Sequence, residues 1–279
     1  KTNESKDVVL PWGAEFRVNA NPSDTVSYSI WLKGIYDVSL TEIIWRLLVP
    51  GEIALDVGAN IGYVTSLMAS RVGTKGKVLC FEPNPEMYQS LCKKINVWQQ
   101  TKKWGSIVTS SFALSNQSGR GILKFSPKSP GEAFLVSGSN IGSLDASEGA
   151  RLSSLQTYSV QQSRLDEYVN VSQIHLLKID VEGHELEVLE GAGEWITKRK
   201  IRDVVFEEHK SFPNKTTEFL ESCGYTVFRV RKGFWKPLLG SPTQTWNHPW
   251  EPPNYWAIVE PQRALQLLSS CGWRSFRSV

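Results

Sequence analysis

The chain alternates between short apolar runs and stretches in which apolar residues recur at helical spacing. The apolar runs lack the polar alternation of a half-solvated strand, which is typical of buried strands in a parallel sheet. We predict strands at Ile53–Val57, Lys77–Glu82, Ser106–Leu114, Ile174–Asp180, Asp203–Glu208, Tyr225–Val230 and Tyr255–Val259. Helices are predicted at Ser39–Leu48, with Ser39 and Glu42 as a capping box, and at Tyr63–Arg71, Pro85–Asn96, Val181–Ala192 and Thr216–Cys223.

This alternation predicts one Rossmann-like α/β domain over residues 1–279, with a seven-stranded, mostly parallel sheet and helices on both faces. The last strand follows the sixth without a helix between them, so we expect it to be antiparallel. The polar residues 1–34 are predicted to cover the domain edge or the site. Residues 126–155 and 231–253 are predicted to be insertions near the part of the site that binds the acceptor substrate.

The first insertion is rich in Ser, Gly and Pro, and its length favours a lid or substrate loop with residues 137–144 at its tip. A disordered insertion is the alternative. The second insertion is rich in Trp and Pro, and its aromatic rings either stack on sugar faces or pack the insertion onto the domain.

The segment IALDVGANIGY, residues 53–63, has the pattern of a strand, a glycine turn and a helix. Gly58 and Gly62 permit a tight turn and a close approach of the backbone to a ligand. Asp56 occupies the position at which a dinucleotide-binding motif has its first glycine. A carboxylate there would repel a pyrophosphate and attract the α-ammonium group of a methionine moiety. The motif therefore favours S-adenosylmethionine over NAD.

A second acidic residue, Glu82, lies twenty positions after Gly62 at the end of the next predicted strand. A ribose-binding carboxylate belongs at this spacing. The alternative is that Glu82 caps the helix beginning at Pro85. The adenine is expected near Ser111 and Ala113, on position alone.

The blocks IALDVGANIGY, VLCFEPNPEMYQSL, SRLDEYV and IHLLKIDVEGHELEVLEGA resemble the FkbM family of S-adenosylmethionine-dependent methyltransferases, over about Ile35 to Ile258. The resemblance implies a class I methyltransferase fold and O-methylation of a hydroxyl on a sugar, a glycan or a polyketide-like natural product, with S-adenosylhomocysteine as the other product. Asp37 matches a family position that is more often glutamate, and it either faces the cofactor or is a second turn acid. With the residues above, the predicted cofactor contacts are Asp37, Asp56, Gly58, Asn60, Gly62, Tyr63, Glu82, Pro83, Ser111, Ala113 and Asp180.

Methyl transfer to an alcohol requires a group that removes the hydroxyl proton. His184 and His209 are the candidate bases, with Glu207 or Asp180 orienting the ring, because adjacent parallel strands deliver their ends to one crevice. Glu182 belongs to the same group. Alternatively, Asp180 and Glu207 hold a divalent ion such as Mg²⁺, although no spacing demands a metal.

Composition and charge argue against several other classes of protein. The net charge is +3, and the sequence has no dense stripe of Lys and Arg of the kind that binds nucleic acids. Four cysteines without a C-x-x-C pair do not suggest a disulfide framework or a zinc site, and Cys80 and Cys223 occupy positions that suit small buried side chains. No membrane-spanning run or signal peptide is evident. We therefore expect a cytoplasmic protein.

Two alternatives remain open at this level. Sequons at Asn3, Asn116, Asn170 and Asn214 suggest a secretory lumen, with an anchor or signal removed upstream of Lys1. In place of a methyltransferase, the chain could be an NAD-dependent oxidoreductase or an inactive scaffold that binds the cofactor.

Overall fold

The structure, a computed structural model, describes residues 5–19, 21–22, 24–126, 129–136, 155–243 and 253–276. The strands within these ranges are β1 (Ser5–Val9), β2 (Glu15–Asn19), β3 (Ile53–Val57), β4 (Lys77–Phe81), β5 (Ser106–Ser110), β6 (Ala113–Leu114), β7 (Gly119–Ser126), β8 (Ser129–Val136), β9 (Gln156–Ser163), β10 (Ile174–Ile179), β11 (Ile201–Glu207), β12 (Thr226–Lys232), β13 (Pro237–Gly240) and β14 (Asn254–Ile258).

The helices are α1 (Thr25–Lys33), α2 (Val38–Leu47), α3 (Tyr63–Val72), α4 (Pro85–Thr101), α5 (Leu165–Tyr168), α6 (Glu185–Gly191), α7 (Glu194–Thr197), α8 (Lys215–Ser222) and α9 (Pro261–Leu267), followed by a 3₁₀ turn at Arg274–Phe276. Among the described helices, none has the length and hydropathy that a bilayer crossing requires.

The central sheet has the strand order β13-β12-β14-β11-β10-β3-β4-β5. Strands β11, β10, β3, β4 and β5 are parallel, and β14 is antiparallel to both of its neighbours. The predicted fold class and the antiparallel last strand are confirmed. The count of seven strands is wrong, because β13 adds an eighth beside β12. Its four residues are too few to show a strand period in the sequence.

Helices cover both faces of this sheet, as predicted. Successive side chains of β3 point to opposite faces. Ala54 packs in one apolar cluster with residues of α2, α3 and α4. Leu55 and Val57 pack in a second cluster with residues of α6, α7 and α8. The carboxyl ends of the parallel strands are thereby fixed between two rigid layers.

The start of α2 differs from the prediction. Asp37, and not Ser39, is the N-cap residue, and its Oδ1 accepts hydrogen bonds from Ser39 N at 2.8 Å and Leu40 N at 3.0 Å. Glu42 cannot complete a capping box, because it is buried and pairs with Arg46 at 2.6 Å.

Two further boundaries differ from the prediction. The strand expected over Ser106–Leu114 ends at Ser110, and Ala113–Leu114 joins a second sheet of order β6-β9-β7-β8. Helix α6 begins at Glu185 and not at Val181, because Glu182 and Gly183 have φ values of +53° and +92°, outside the helical region.

The described parts of the two insertions form strands. Strand β8 pairs with β7 in the second sheet, whereas the predicted tip at residues 137–144 lies outside the described residues. In the second insertion β13 completes a hairpin with β12. Residues 244–252, which include Trp246 and Trp250, also lie outside the described ranges.

The N-terminal segment folds as the β1–β2 hairpin followed by α1. Trp12 is buried against Tyr63, with ring centroids 5.3 Å apart, and its Nε1 donates a hydrogen bond to Ser66 Oγ at 3.0 Å. Phe16 packs on Trp98 at 5.5 Å. These contacts hold the hairpin against α3 and α4, beside the carboxyl edge of the central sheet.

Candidate active site

A cavity of about 530 Å³ opens at the carboxyl ends of β3, β4, β10 and β11, which is the usual ligand position in an open α/β sheet. Its walls come from these strand ends, from β2 and α1, from α4 and from the second sheet. Among the predicted site residues, those that line it are Gly58, Asn60, Glu82, Pro83, Ala113, Asp180, Glu182, His184, Glu207 and His209.

The turn after β3 requires glycine at position 58. Gly58 has a φ of +77°, and a Cβ atom there would lie 1.9 Å from the carbonyl oxygen of Asp180. The amide groups of Gly58 and Ala59 both donate to Phe81 O at 3.0 Å. Asn60, with φ at +49°, completes the turn in a conformation that asparagine tolerates. The turn after β3 therefore packs closely against the ends of β4 and β10.

Glu82 links the turn after β3 to the end of β4. Its Oε2 accepts a hydrogen bond from Asn60 N at 2.7 Å, and its Oε1 accepts one from Asn84 N at 2.9 Å. Burial raises the pKa of Glu82 to about 7. Asn84 caps α4 by accepting from Glu86 N, so Glu82 does not serve as that helix cap. A buried carboxylate facing the cavity can accept further hydrogen bonds from ligand hydroxyl groups.

Asp56 does not line the cavity. Its side chain is fully buried beneath the turn, where Oδ2 accepts from Thr65 Oγ1 at 2.6 Å and Oδ1 lies 3.2 Å from Lys178 Nζ. The expectation that Asp56 faces the ammonium group of a methionine moiety is therefore corrected. A lysine of the protein already supplies the opposite charge.

Lys178 is a buried residue that the sequence analysis missed. Its Nζ donates to Gly58 O at 2.8 Å and lies 3.6 Å from Asp180 Oδ2. Burial opposes the charge, but the carboxylates of Asp56 and Asp180 raise the pKa of Lys178 above its ordinary value. The lysine therefore remains charged and connects the glycine turn to the end of β10. A lysine within the apolar run IHLLKID was the signal that could have identified it.

Asp37 and Ser111 are also absent from the cavity lining. Besides capping α2, Asp37 accepts a hydrogen bond from Asn254 Nδ2 at 2.7 Å through Oδ2. Ser111 is exposed and lies outside the cavity wall. The predicted cofactor contacts of these two residues are not supported by their positions.

Gly62 and Tyr63 likewise serve the fold. Gly62 precedes α3 with φ at +91°, and a Cβ atom there would lie 2.6 Å from Leu91 Cδ1. The buried Tyr63 hydroxyl accepts from Tyr36 N at 3.2 Å and lies 2.8 Å from Thr41 Oγ1. Both residues position the segments around the cavity without lining it.

The cavity wall beyond Glu82 is mainly apolar. Pro83 and Ala113 lie there as predicted, beside Phe112 and Leu114, which the sequence analysis did not select. Phe112 is held by an edge contact to Tyr168, with ring centroids 5.4 Å apart. A flat heteroaromatic ring fits such a wall.

The opposite end of the cavity is acidic. His209 Nε2 lies 3.1 Å from Glu207 Oε1, and Asp180 and Glu182 line the same end. Burial and then the charges of Asp180 and Glu182 raise the pKa of Glu207 to about 8. A carboxyl group in this state can exchange a proton near neutral pH.

His184 also lines the cavity, but its Nε2 is within hydrogen-bond distance of a protein hydroxyl group. Nε2 lies 2.9 Å from Ser115 Oγ, and Nδ1 lies 3.6 Å from Glu187 Oε2. Burial lowers the pKa of His184, so the imidazole is neutral at neutral pH. These contacts favour a positioning role for its ring.

Tyr36 is a further lining residue that the sequence analysis missed. Burial, and then the charges of Asp180 and Glu207, raise the pKa of Tyr36 well above its ordinary value. Its hydroxyl therefore stays protonated and presents a donor to this acidic end. Among the residues that the structure describes, no three His, Cys, Asp or Glu side chains converge as metal ligands.

Residues 56–227 match the family model of the methyltransferase FkbM domain. The chain belongs to this family. It carries the methyltransferase FkbM domain, and the family match favours S-adenosylmethionine over NAD as the cofactor. The predicted recognition motifs lie within or directly beside the matched range.

The curated relatives that the chain resembles are named as methyltransferases. The chain is 28% identical to the hexuronic acid methyltransferase AglP of Haloferax volcanii, over 62% of this chain and 62% of AglP. It therefore spans less than two thirds of that relative. It is 25% identical to methyltransferase 1 of Beauveria bassiana, over 80% of this chain and 90% of the relative. The crystal structure of an FkbM methyltransferase from Methylobacillus flagellatus aligns with a TM-score of 0.46 and 14% identity, over 77% of this chain and 48% of that one.

Proposed function

We propose that this FkbM methyltransferase transfers the methyl group of S-adenosylmethionine to a hydroxyl group of a sugar or glycan. The observation that carries the proposal is one cavity with two chemically distinct ends. One end has a buried carboxylate beside an apolar wall, and the other has a carboxylate–imidazole pair. The similarity to a hexuronic acid methyltransferase supports a carbohydrate acceptor.

The described residues fit the cofactor. Glu82 would accept hydrogen bonds from the ribose hydroxyl groups, since its backbone partners occupy only part of its acceptor capacity. Pro83, Phe112 and Ala113 would contact the adenine. Asp180 is the carboxylate near the glycine turn that does reach the cavity, so we assign to it the ammonium contact first expected of Asp56.

When bound, S-adenosylmethionine supplies an electrophilic methyl group on sulfur. The protein must place the acceptor oxygen in line with this group and remove its proton. In our proposal the Glu207–His209 pair accepts the proton. Both side chains line the cavity, and Glu207 Oε1 lies 3.1 Å from His209 Nε2, so the carboxyl group can orient the ring. In the alternative base, His184, Nε2 lies 2.9 Å from Ser115 Oγ, so this nitrogen already has a partner in the protein.

Labelled methyl transfer to a panel of free sugars, glycans and polyketide-like alcohols tests the proposal. Glu207→Gln should abolish transfer while leaving S-adenosylmethionine affinity nearly unchanged, because the base acts on the acceptor. Glu208→Gln is the matched control on the neighbouring residue, which is buried against Thr216 Oγ1 and does not line the cavity. Full activity of Glu207→Gln would refute the assignment of the base.

A further inference from the structure

The turn between β12 and β13 exposes a pair of large aromatic side chains. Phe234 is 82% exposed and Trp235 is 64% exposed, with their ring centroids 4.7 Å apart. Leu238 is 46% exposed and lies against the backbone of Gly233, so it extends the same apolar tip. Clustered exposed aromatic residues of this kind mark an interaction site more often than scattered single ones do.

The backbone of this tip is fixed although its side chains are free of the core. Gly233 N donates to Lys236 O at 3.1 Å and closes the turn. Gly272 N donates to Trp235 O at 2.9 Å, and Trp273 Nε1 donates to Phe234 O at 3.1 Å. The C-terminal segment thus holds the aromatic pair outward, and little ordering entropy is lost when the pair binds a partner.

The hairpin that carries the tip is basic in sequence. Residues 226–240 contain four Lys or Arg residues and no Asp or Glu. Arg263 of the C-terminal segment pairs with Asp203 at 2.8 Å, so it adds no free charge beside the tip. The whole chain has a net charge of only +3, so the hairpin is more basic than the chain as a whole.

We propose that the β12–β13 hairpin docks the enzyme on an anionic lipid surface. Aromatic side chains at a protruding tip insert at the headgroup boundary, and neighbouring cations are attracted to lipid phosphate and carboxylate groups. The combination of a protruding aromatic pair and acid-free basic flanks fits a lipid surface better than a protein groove.

The position of the hairpin gives this docking a consequence for the site. Strand β12 runs in the same direction as β11, because both are antiparallel to β14. The hairpin turn therefore follows the carboxyl end of β12, as the cavity follows the carboxyl ends of β3, β4, β10 and β11, although no residue of the turn lines the cavity. A docked enzyme would present this carboxyl edge of the sheet towards acceptors held at the lipid surface.

Flotation of the full chain with phosphatidylcholine vesicles, with and without phosphatidylserine, tests the proposal. The wild type should float with the anionic vesicles and be released by salt, because exposed charges are screened. Phe234→Ser/Trp235→Ser should reduce this binding by about tenfold or more while leaving the thermal unfolding midpoint near that of the wild type. If the double variant is unstable, the single Phe234→Ser variant replaces it in the flotation test.

The matched control is Trp31→Ser/Leu32→Ser, which removes another exposed apolar pair beside a lysine, on α1. This variant should float like the wild type. Absence of wild-type binding, equal loss in both variants, or unchanged binding of the hairpin variant would overturn the proposal. So would light scattering in which the hairpin substitutions dissociate an oligomer and vesicles do not bind, since the tip would then join copies of the chain.

Discussion

Replacement of Glu82 by glutamine changes one atom of the proposed ribose site. The carboxylate accepts hydrogen bonds from Asn60 N at 2.7 Å and Asn84 N at 2.9 Å. A glutamine has one acceptor oxygen and one NH₂ group, so one of these amides would face a donor. Glu82→Gln therefore removes the charge that would bind the ribose hydroxyl groups and weakens the turn that positions them.

The magnitude follows from the bonds involved. A hydrogen bond to a charged group contributes about 1.5–3 kcal/mol. Loss of one such bond to the ribose corresponds to roughly a 10- to 150-fold loss of affinity. We therefore expect Glu82→Gln to weaken binding by at least the lower of these factors, and Glu82→Ala to weaken it by a similar or larger amount.

The pKa of Glu82 makes the same site visible in pH dependence. Without ligand, burial raises this pKa to about 7. Hydroxyl donors favour the ionised form and lower the pKa, so binding should release a proton near pH 7. Affinity should accordingly fall as the pH decreases through 7, because the protonated carboxyl group accepts hydrogen bonds less well.

Calorimetry with 5′-deoxy-5′-methylthioadenosine measures this effect, since the ligand has the ribose and adenine but no titrating amino group. Proton release is obtained by comparing buffers of different ionisation enthalpy. Glu86→Gln is the matched control, because Glu86 is exposed and accepts from Tyr158 OH outside the cavity. Equal affinities for wild type and Glu82→Gln, or no proton release by the wild type, would refute a ribose contact at Glu82.

Three further outcomes are expected. Turnover should rise with pH through about 8, because Glu207 is protonated below that pKa and cannot accept the acceptor's proton; a profile that is flat from pH 6 to 9 would contradict this. His209→Ala should lower kcat by about a hundredfold or more with little change in cofactor affinity, whereas His184→Ala should leave the pH profile intact; the reverse order would exchange their roles. Lys178→Met should lower the free energy of unfolding by about 3–5 kcal/mol, because it leaves Asp56 buried without a counter-charge, and adding Asp56→Asn should recover part of the loss; urea denaturation with no loss in Lys178→Met would refute this.

The sequence pattern predicted the carboxyl ends of β3, β4, β10 and β11 to within one residue, because neighbouring residues determine them. The apolar run Ile53–Val57 and the glycine at position 58 need only neighbouring residues to be recognised. The carboxyl edge that they form is set by the parallel topology, so Glu82 and Glu207 were placed at the cavity correctly.

Contacts between distant segments decided the residues that were misassigned. Asp56 pairs with Lys178, which lies far along the chain, and this pairing turns a presumed ligand contact into a buried ion pair. Asp37 likewise has a distant partner, because its carboxylate accepts a hydrogen bond from Asn254 Nδ2. A side chain's direction and its partner from another strand cannot be obtained from spacing alone.

The most direct test of the proposed reaction is the site of methylation in a product. The enzyme should transfer ¹³C-labelled methyl from S-adenosylmethionine to a sugar or glycan, and NMR of the product should show a methyl ether on a former hydroxyl oxygen. Transfer to a carboxylate, nitrogen or carbon atom, or to polyketide-like alcohols alone, would contradict O-methylation of a carbohydrate.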